Sequence, residues 1–208
     1  MSDIINEIQH DIADEKYTRI FTEHGKKLIV AAVAVILLTA GLTAYKKNSE
    51  KRSRESGTLF VNAFDNANPA EYDAIISKGQ KGYAPMAAII KASLQNSAGK
   101  PQDAIKTLDK VINNISHDAA FREKAQLDKA FIMIDQKADK TATLSLLNDL
   151  ITEKSIFRTT ALELKASYLL QTGDKKQALA IFEELARNEQ IPATAQERAK
   201  HILATINE

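Results

Sequence analysis

The sequence predicts an all-α fold: one N-terminal transmembrane helix, then an α-solenoid of about three helix pairs and a closing helix. The 208 residues include only seven glycines and four prolines, so residues that interrupt helices are scarce. One long uncharged stretch lies near the N-terminus, and apolar residues recur at helical spacing after it. A related segment also occurs three times, at steps of 38 and 36 residues, which is typical of stacked helix pairs.

Residues 1–27 form a short tail before the uncharged stretch. Ile5, Ile8 and Ile12 lie at helical spacing, and acidic residues surround them. This pattern fits a short amphipathic helix that docks on a partner or a membrane surface. It also fits a fraying polar tail, and the sequence leaves both interpretations open.

Residues 28–45 read LIVAAVAVILLTAGLTAY, 18 residues without a charge. As an α-helix they span roughly 27 Å, close to a hydrocarbon core of about 30 Å. A buried core helix rarely runs this far without a polar face, and the acidic tail before it is unlike a signal peptide. We therefore predict a retained transmembrane anchor. Four Lys and Arg residues in the twenty before the span, against five in the twenty after it, leave its orientation undecided.

Residues 46–82 are predicted to be juxtamembrane and leading helices. Five cations between Lys46 and Arg54 suit a phospholipid surface. The apolar residues after them continue the helical spacing, and Asn68 before Pro69 predicts the start of a new helix. The apolar residues are Leu59, Phe60, Ala63 and Phe64.

Residues 83–208 are predicted to form the repeat domain with its closing helix. Each unit has a Lys-Ala dipeptide and another alanine twelve residues after the first. These residues are Lys91-Ala92 with Ala104, Lys129-Ala130 with Ala142, and Lys165-Ala166 with Ala178. Gly99 and Gly173 mark the turns of the first and third units, where the middle unit has Lys137. Small residues let two antiparallel helices approach closely, so each unit is predicted to be a helix pair that stacks on the next.

These features resemble tetratricopeptide repeats, whose paired alanines and turn glycine they match. Leu108, Leu146 and Phe182 fall at the core position of the second helix, whereas the three lysines stand where that repeat usually has leucine. Residues 20–37, IFTEHGKKLIVAAVAVIL, also resemble the membrane-entry segment of the bacterial ancillary Sec-translocon subunit family (YfgM-like proteins). The segments ELKASYLLQTGDKKQALAIFEEL and IPATAQERAKHILATIN resemble that family's last repeat and closing helix.

The resemblance implies an inner-membrane protein with a cytosolic N-terminus and periplasmic repeats. It further implies association with the SecYEG channel and assistance to newly exported polypeptides, alongside periplasmic chaperones. The alternative function is a structural scaffold that coordinates cell-envelope or division machinery without binding clients.

Composition and motifs predict that the protein is not an enzyme. The chain has no cysteine, its four histidines are scattered, and it lacks Gly-x-Ser-x-Gly, Gly-x-Gly-x-x-Gly and Gly-x-x-x-x-Gly-Lys. From residue 57 onward 19 Lys and Arg residues balance 19 Asp and Glu residues. We therefore expect no cofactor, metal site, small-molecule substrate or nucleic-acid partner.

In this repeat class the first helix of each pair lines a groove, and the resemblance carries four groove positions onto each unit. The residues are Met86, Ile89, Ser93 and Asn96; Lys124, Leu127, Phe131 and Ile134; and Thr160, Glu163, Ser167 and Leu170. The apolar members predict a stripe that holds extended or unfolded client segments. The alternative is that they are core residues, covered by the helix around 69–79 or by the closing helix.

Overall fold

The computed structural model describes the backbone of residues 2–66, 68–79, 82–114 and 118–207, with side chains from 33 to 206 in those ranges. Its regular secondary structure within these ranges is α-helical, which confirms the all-α prediction. The helices are α1 Ser2–Asn66, α2 Tyr72–Lys78, α3 Tyr83–Ser97, α4 Pro101–Asn114, α5 Ala119–Asp135, α6 Lys140–Leu150, α7 Arg158–Gln171, α8 Lys175–Arg187 and α9 Ala193–Asn207.

The chain divides into two compact units, Met1–Arg54 and Glu55–Glu208. The first unit belongs to α1. The proposed amphipathic side chains of the tail, and the side chains of residues 28–32 at the start of the predicted span, lie outside the described residues. Among the residues that are described, we find no helix with both the length and the apolar character that a membrane crossing requires.

The second unit contains three successive helix pairs, α3–α4, α5–α6 and α7–α8, followed by α9. Each of these helices packs on the next in the chain. In addition, α3 contacts α5, and α5 contacts α7, so the first helices of the pairs lie side by side on one face. This arrangement agrees with the predicted solenoid of three pairs and a closing helix.

The buried clusters explain why the pairs must stack. Each takes its members from three consecutive helices: one cluster from α3, α4 and α5, the next from α5, α6 and α7, and the third from α7, α8 and α9. No single pair within this part of the chain completes its core alone. Burial of apolar surface therefore links each pair to its neighbour.

The end of α1 and the short α2 form the leading part of this unit. Ala63, Tyr72, Ile75 and Ala87 are buried together. The predicted helix start at Asn68 is corrected: Asn68 Oδ1 accepts a hydrogen bond of 3.1 Å from the amide of Ala70, and α2 begins later, at Tyr72. Asn68 therefore closes a turn before the helix, as Asn often does.

The turns inside the three pairs share one conformation. Gly99 and Gly173 have φ values of 73° and 88°, and Lys137 at the equivalent place has 49°. After each of them, an amide donates to the carbonyl five residues earlier. These bonds are Lys100 to Gln95, Ala138 to Met133, and Asp174 to Leu169, at 2.9, 2.9 and 2.8 Å. Each first helix thus ends in a left-handed residue, which glycine adopts most easily.

The register of the middle pair differs from the prediction by one residue. Its turn, 136–139, is one residue longer than the turns at 98–100 and 172–174. As a result Ala142 is exposed, and Thr143 takes the buried place that Ala104 and Ala178 occupy in the other pairs. Leu147, fully buried, likewise replaces the predicted Leu146 as the counterpart of Leu108 and Phe182.

Candidate protein-binding groove

The buried alanines of α3, α5 and α7 provide a common register for the predicted groove residues. Ala92, Ala130 and Ala166 are each at most 1% exposed. In each helix, the four predicted groove residues lie at fixed distances from this alanine. Two precede it, by six and by three residues, and two follow it, by one and by four residues. Because the three helices lie side by side, the same position in each of them should have a similar environment.

The position after the alanine is open in all three helices. Ser93, Phe131 and Ser167 are exposed there, and Phe131 exposes 47% of its surface although it is a large apolar residue. Six residues before the alanine, Met86 and Thr160 are exposed and Lys124 is half-buried. These two positions therefore form the accessible surface of the first helices.

The other two positions are more enclosed. Asn96, Ile134 and Leu170, four residues after the alanine, are half-buried. Three residues before it, Ile89 and Glu163 are half-buried. Ile89 packs on a buried cluster that includes residues of α5, and Glu163 binds Arg198 of α9, which accounts for their lower exposure.

Leu127 also occupies this position, but it is only 4% exposed. It packs in a cluster with Ala130, Leu147, Leu150 and Ala161. We assign Leu127 to the core between α5, α6 and α7. It is a core residue, as the alternative expected, but α6 and α7 cover it instead of the helix around 69–79 or the closing helix.

An open cavity of about 400 Å³ lies between α3 and α5. Five predicted groove residues meet in its wall: Ile89, Ser93, Asn96, Lys124 and Phe131. Its other lining residues are Ile90, Ala92, Leu108, Asp128 and Ile132. The predicted contributions of the first two units therefore come together in one place.

Asp128 is a lining residue that the sequence interpretation missed. It lies one turn after Lys124, and the Lys124 Nζ is 2.5 Å from its Oδ1. The i,i+4 spacing of the two residues is the signal that could have revealed this pair. Because the two charges compensate each other, the cavity wall is nearly neutral as well as largely apolar.

Ile134 lines a different depression, of about 390 Å³, between the α5–α6 turn and the end of α7. It is accompanied there by Lys137, Ala138, Tyr168, Gln171 and Thr172. The predicted apolar stripe is therefore divided into the α3–α5 cavity, this second depression, and the buried Leu127.

Toward α9 the surface becomes polar. The Glu163 carboxylate accepts hydrogen bonds from Arg198, with the Nη2 atom 2.8 Å from Oε1 and 3.0 Å from Oε2. Thr160 and Ser167 are exposed nearby on the same helix. This end of the groove therefore presents hydroxyl groups, and a carboxylate that is already bound to Arg198, instead of apolar surface.

The repeat lysines, which replace the leucine expected at their position, do not line this surface. Each reaches an acceptor on the helix before its own: Lys91 to Asp73 on α2, Lys129 to Asp109 on α4, and Lys165 to Asn148 on α6. Asp109 and Asn148 directly follow the buried Leu108 and Leu147. A lysine is accommodated because its ammonium group has a partner at the edge of the seam.

Among titratable groups, Tyr72 is distinguished by its environment. Burial, followed by the neighbouring negative charge of Glu71, raises the pKa of its hydroxyl above the usual value of 10.0. It belongs to the buried cluster of α1, α2 and α3. In the part of the chain that the structure covers, His, Asp and Glu residues form no group that could hold a metal ion.

The groove can thus bind a complementary ligand through apolar contacts and through hydrogen bonds from Ser93 and Asn96.

A family model for the tetratricopeptide repeat-like domain matches residues 19–202. Searches of curated proteins and of solved structures give no significant match. A domain of this kind suggests a protein–protein interaction module. Because the match extends over most of the sequence, the chain belongs to the tetratricopeptide repeat-like domain family.

Proposed function

We propose that the protein is a membrane-anchored interaction module that associates with the Sec translocon and assists newly exported polypeptides by binding them in the groove. The observation that carries the client-binding part is the open α3–α5 cavity, with Phe131 47% exposed in its wall. Its apolar residues stand on packed helices, so little ordering is needed when a partner binds.

The chemistry of the cavity favours an extended, uncharged and apolar segment. Ile89, Ile132 and Phe131 supply apolar surface, and the Lys124–Asp128 pair leaves no strong net charge. Burying about 100 Å² of apolar surface contributes about 2.5 kcal/mol before the costs of association. Ser93 and Asn96 can hydrogen-bond to the backbone of such a segment.

Membrane anchoring is supported by the first unit taken alone. Val35, Ile36, Leu37 and Leu38 expose between 61% and 67% of their surface. Successive residues point about 100° apart on a helix, so apolar side chains face outward on all sides. A helix of this kind is suited to lipid. The proposed placement, with a cytosolic N-terminus and periplasmic repeats, rests on the resemblance of residues 20–37 to the translocon subunit family.

Protease treatment of intact spheroplasts tests the placement. We expect the repeat domain to be digested and the N-terminal tail to be protected, as detected with antibodies to each end. Lysed spheroplasts, in which both ends are accessible, provide the control. Protection of the repeat domain in intact spheroplasts would contradict the proposed placement.

Site-specific crosslinking in membranes tests the partners. A photoreactive residue replaces Ser93, which lines the cavity, and in a separate control it replaces Ile156, which is 70% exposed on the α6–α7 connection. We expect channel subunits and newly exported chains to crosslink at position 93 more strongly than at 156. A fixed set of envelope or division proteins at position 93 would instead favour the scaffold function.

Binding of an unfolded protein tests the groove itself. The probe is reduced, carboxymethylated α-lactalbumin, and the full chain is held in detergent micelles. We expect Phe131→Ser to weaken binding about fivefold or more, and Ile156→Ser to leave it unchanged. Equal effects of the two substitutions would contradict client binding in the α3–α5 cavity.

A further inference from the structure

The last turns of α1 expose two large apolar residues. Val61 and Phe64 are 58% and 64% exposed, whereas Ser56 and Ala63 on the same helix are at most 1% exposed. The buried side packs on Tyr72, Ile75 and Ala87. The end of α1 therefore has one face in the core of the second unit and one apolar face outside it.

Register relates this end of α1 to the first helices of the repeats. If the buried Ala63 is the counterpart of Ala92 and Ala130, Phe60 lies three residues before it and Phe64 one residue after it. Phe64 then takes the open position that Ser93 and Phe131 occupy on α3 and α5.

Contacts of the position three before the alanine support this register. In each case the residue at this position packs toward a helix that follows it in the chain. The Phe60 ring lies 6.1 Å from that of Tyr83 on α3, Ile89 packs on a cluster that includes α5, Leu127 packs on Ala161 of α7, and Glu163 binds Arg198 of α9. Because Phe60 is oriented as its counterparts are, Phe64 lies on the same open face as Phe131.

We propose that the groove begins on α1 and that Phe64 is a contact residue for the bound polypeptide. This inference rests on the proposed client binding and extends the site by one helix that was not part of the predicted groove. The occupant is an extended, apolar and uncharged segment of a client polypeptide that reaches from Phe64 to Phe131.

Three features of the surface select this occupant. The open positions on α1, α3 and α5 include Phe64, Met86 and Phe131, whereas the α7–α9 end carries hydroxyl groups and the internally bonded Glu163. The ion pair in the cavity wall is self-compensated, so a charged segment gains no partner there. Phe64 occupies the same register position as Ser93 and Phe131 of the candidate groove, so one segment can reach all three.

Spacing sets the length of the segment. Packed helices lie about 8–10 Å apart, so α1 and α5 are separated by two such steps. An extended chain advances about 3.3 Å per residue. A segment of about six residues, with apolar side chains near both ends, therefore reaches Phe64 and Phe131 together.

The test measures binding of carboxymethylated α-lactalbumin to the full chain in detergent micelles. We expect Phe64→Ser to weaken binding about fivefold, and Phe64→Leu to retain most of it. Ile156→Ser is the matched control, because it also removes an exposed apolar side chain. A photoreactive residue at position 64 should crosslink to the probe, which provides a second readout if the serine variant is poorly folded.

The outcomes separate this inference from the proposed function. If Phe131→Ser weakens binding and Phe64→Ser does not, the extension onto α1 is wrong while client binding stands. If Phe64→Ser changes the oligomeric state and leaves probe binding unchanged, a second copy covers this face and the inference is overturned. If the wild-type chain fails to bind the probe, both the proposed client binding and the inference fail.

Discussion

Lys129 on α5 donates a hydrogen bond of 2.6 Å from Nζ to Oδ1 of Asp109 on α4. The bond crosses the junction between the first and second helix pairs. The same link recurs at the junctions on either side, but its acceptor changes: Lys91 binds the carboxylate of Asp73, whereas Lys165 binds the neutral amide oxygen of Asn148, at 2.8 Å. The junctions are therefore alike in geometry and different in electrostatics.

We expect the two kinds of junction to respond differently to salt. In double-mutant cycles, Lys129→Met with Asp109→Ala should give a coupling of about 0.5–1 kcal/mol that decreases at high ionic strength. Lys165→Met with Asn148→Ala should give a coupling of about 0.5 kcal/mol that changes little, because one partner is neutral. Denaturant unfolding of the full chain in micelles measures both. Equal salt dependence of the two couplings would contradict the assignment.

Lys137→Gly should stabilise the protein by about 0.5–1 kcal/mol, because Lys137 has a positive φ of 49° in the turn where the other pairs have glycine. Gly99→Ala is the opposite control, with an expected loss of about 1 kcal/mol. Its φ is 73°, and a Cβ there would meet nothing within 4 Å, so the loss would come from the backbone alone. Thermal unfolding measures both changes, and a less stable Lys137→Gly variant would disprove the equivalence of the turns.

Core and groove residues on α5 should separate by their effects on stability. Leu127→Ala should lower the free energy of unfolding by about 2–5 kcal/mol, because its side chain is 4% exposed and its removal leaves a cavity. Phe131→Ser should change it by about 0.5 kcal/mol or less, since Phe131 is 47% exposed. A large loss of stability for Phe131→Ser would place that residue in the core as well.

Ser56→Ala should leave stability unchanged or raise it by up to about 1 kcal/mol. Ser56 is fully buried, and its hydroxyl has no hydrogen-bond partner among the described residues. Ser155→Ala provides the contrast, with an expected loss of about 1 kcal/mol, because the Ser155 hydroxyl donates to Glu123 over 2.9 Å and accepts from the amide of Phe157. A destabilised Ser56→Ala variant would indicate a partner for that hydroxyl.

Tyr72→Phe should make the protein less sensitive to alkaline pH. Burial raises the pKa of Tyr72 above 10.0, so the folded state holds this proton more tightly than the unfolded state does. The resulting contribution to stability is complete below pH 10.0 and is lost as pH rises through the higher folded pKa. Unfolding of both proteins from pH 8 to 11 isolates the tyrosine, since the two proteins differ only at this residue. Parallel pH profiles would contradict the prediction.

Much of the solenoid could be predicted from the sequence because small residues recur where helices must approach. Ala92, Ala130 and Ala166 are buried as expected, and the glycines at 99 and 173 form the predicted turns. The second helix of the middle pair could not be placed correctly, because one extra turn residue moves its buried positions by one. Ala142 and Leu146 match the residue types of the repeat pattern. The packing of the helices, however, buries Thr143 and Leu147 in their place.

The candidate groove, too, could be predicted from the sequence only in part. The resemblance to the repeat class, applied in register, identified five of the residues of α3 and α5 that line the cavity, because residues at helical spacing share a face. It missed Ile90, Asp128 and Ile132. It could not separate the exposed Phe131 from the buried Leu127, since both are large and apolar and only the neighbouring helix decides which one is covered. The sequence by itself determined the helical class and the repeat, through local periodicity. The tertiary structure decided the register of the middle pair, the partners of the repeat lysines and the extent of the open apolar face, because these depend on contacts between residues far apart in the chain.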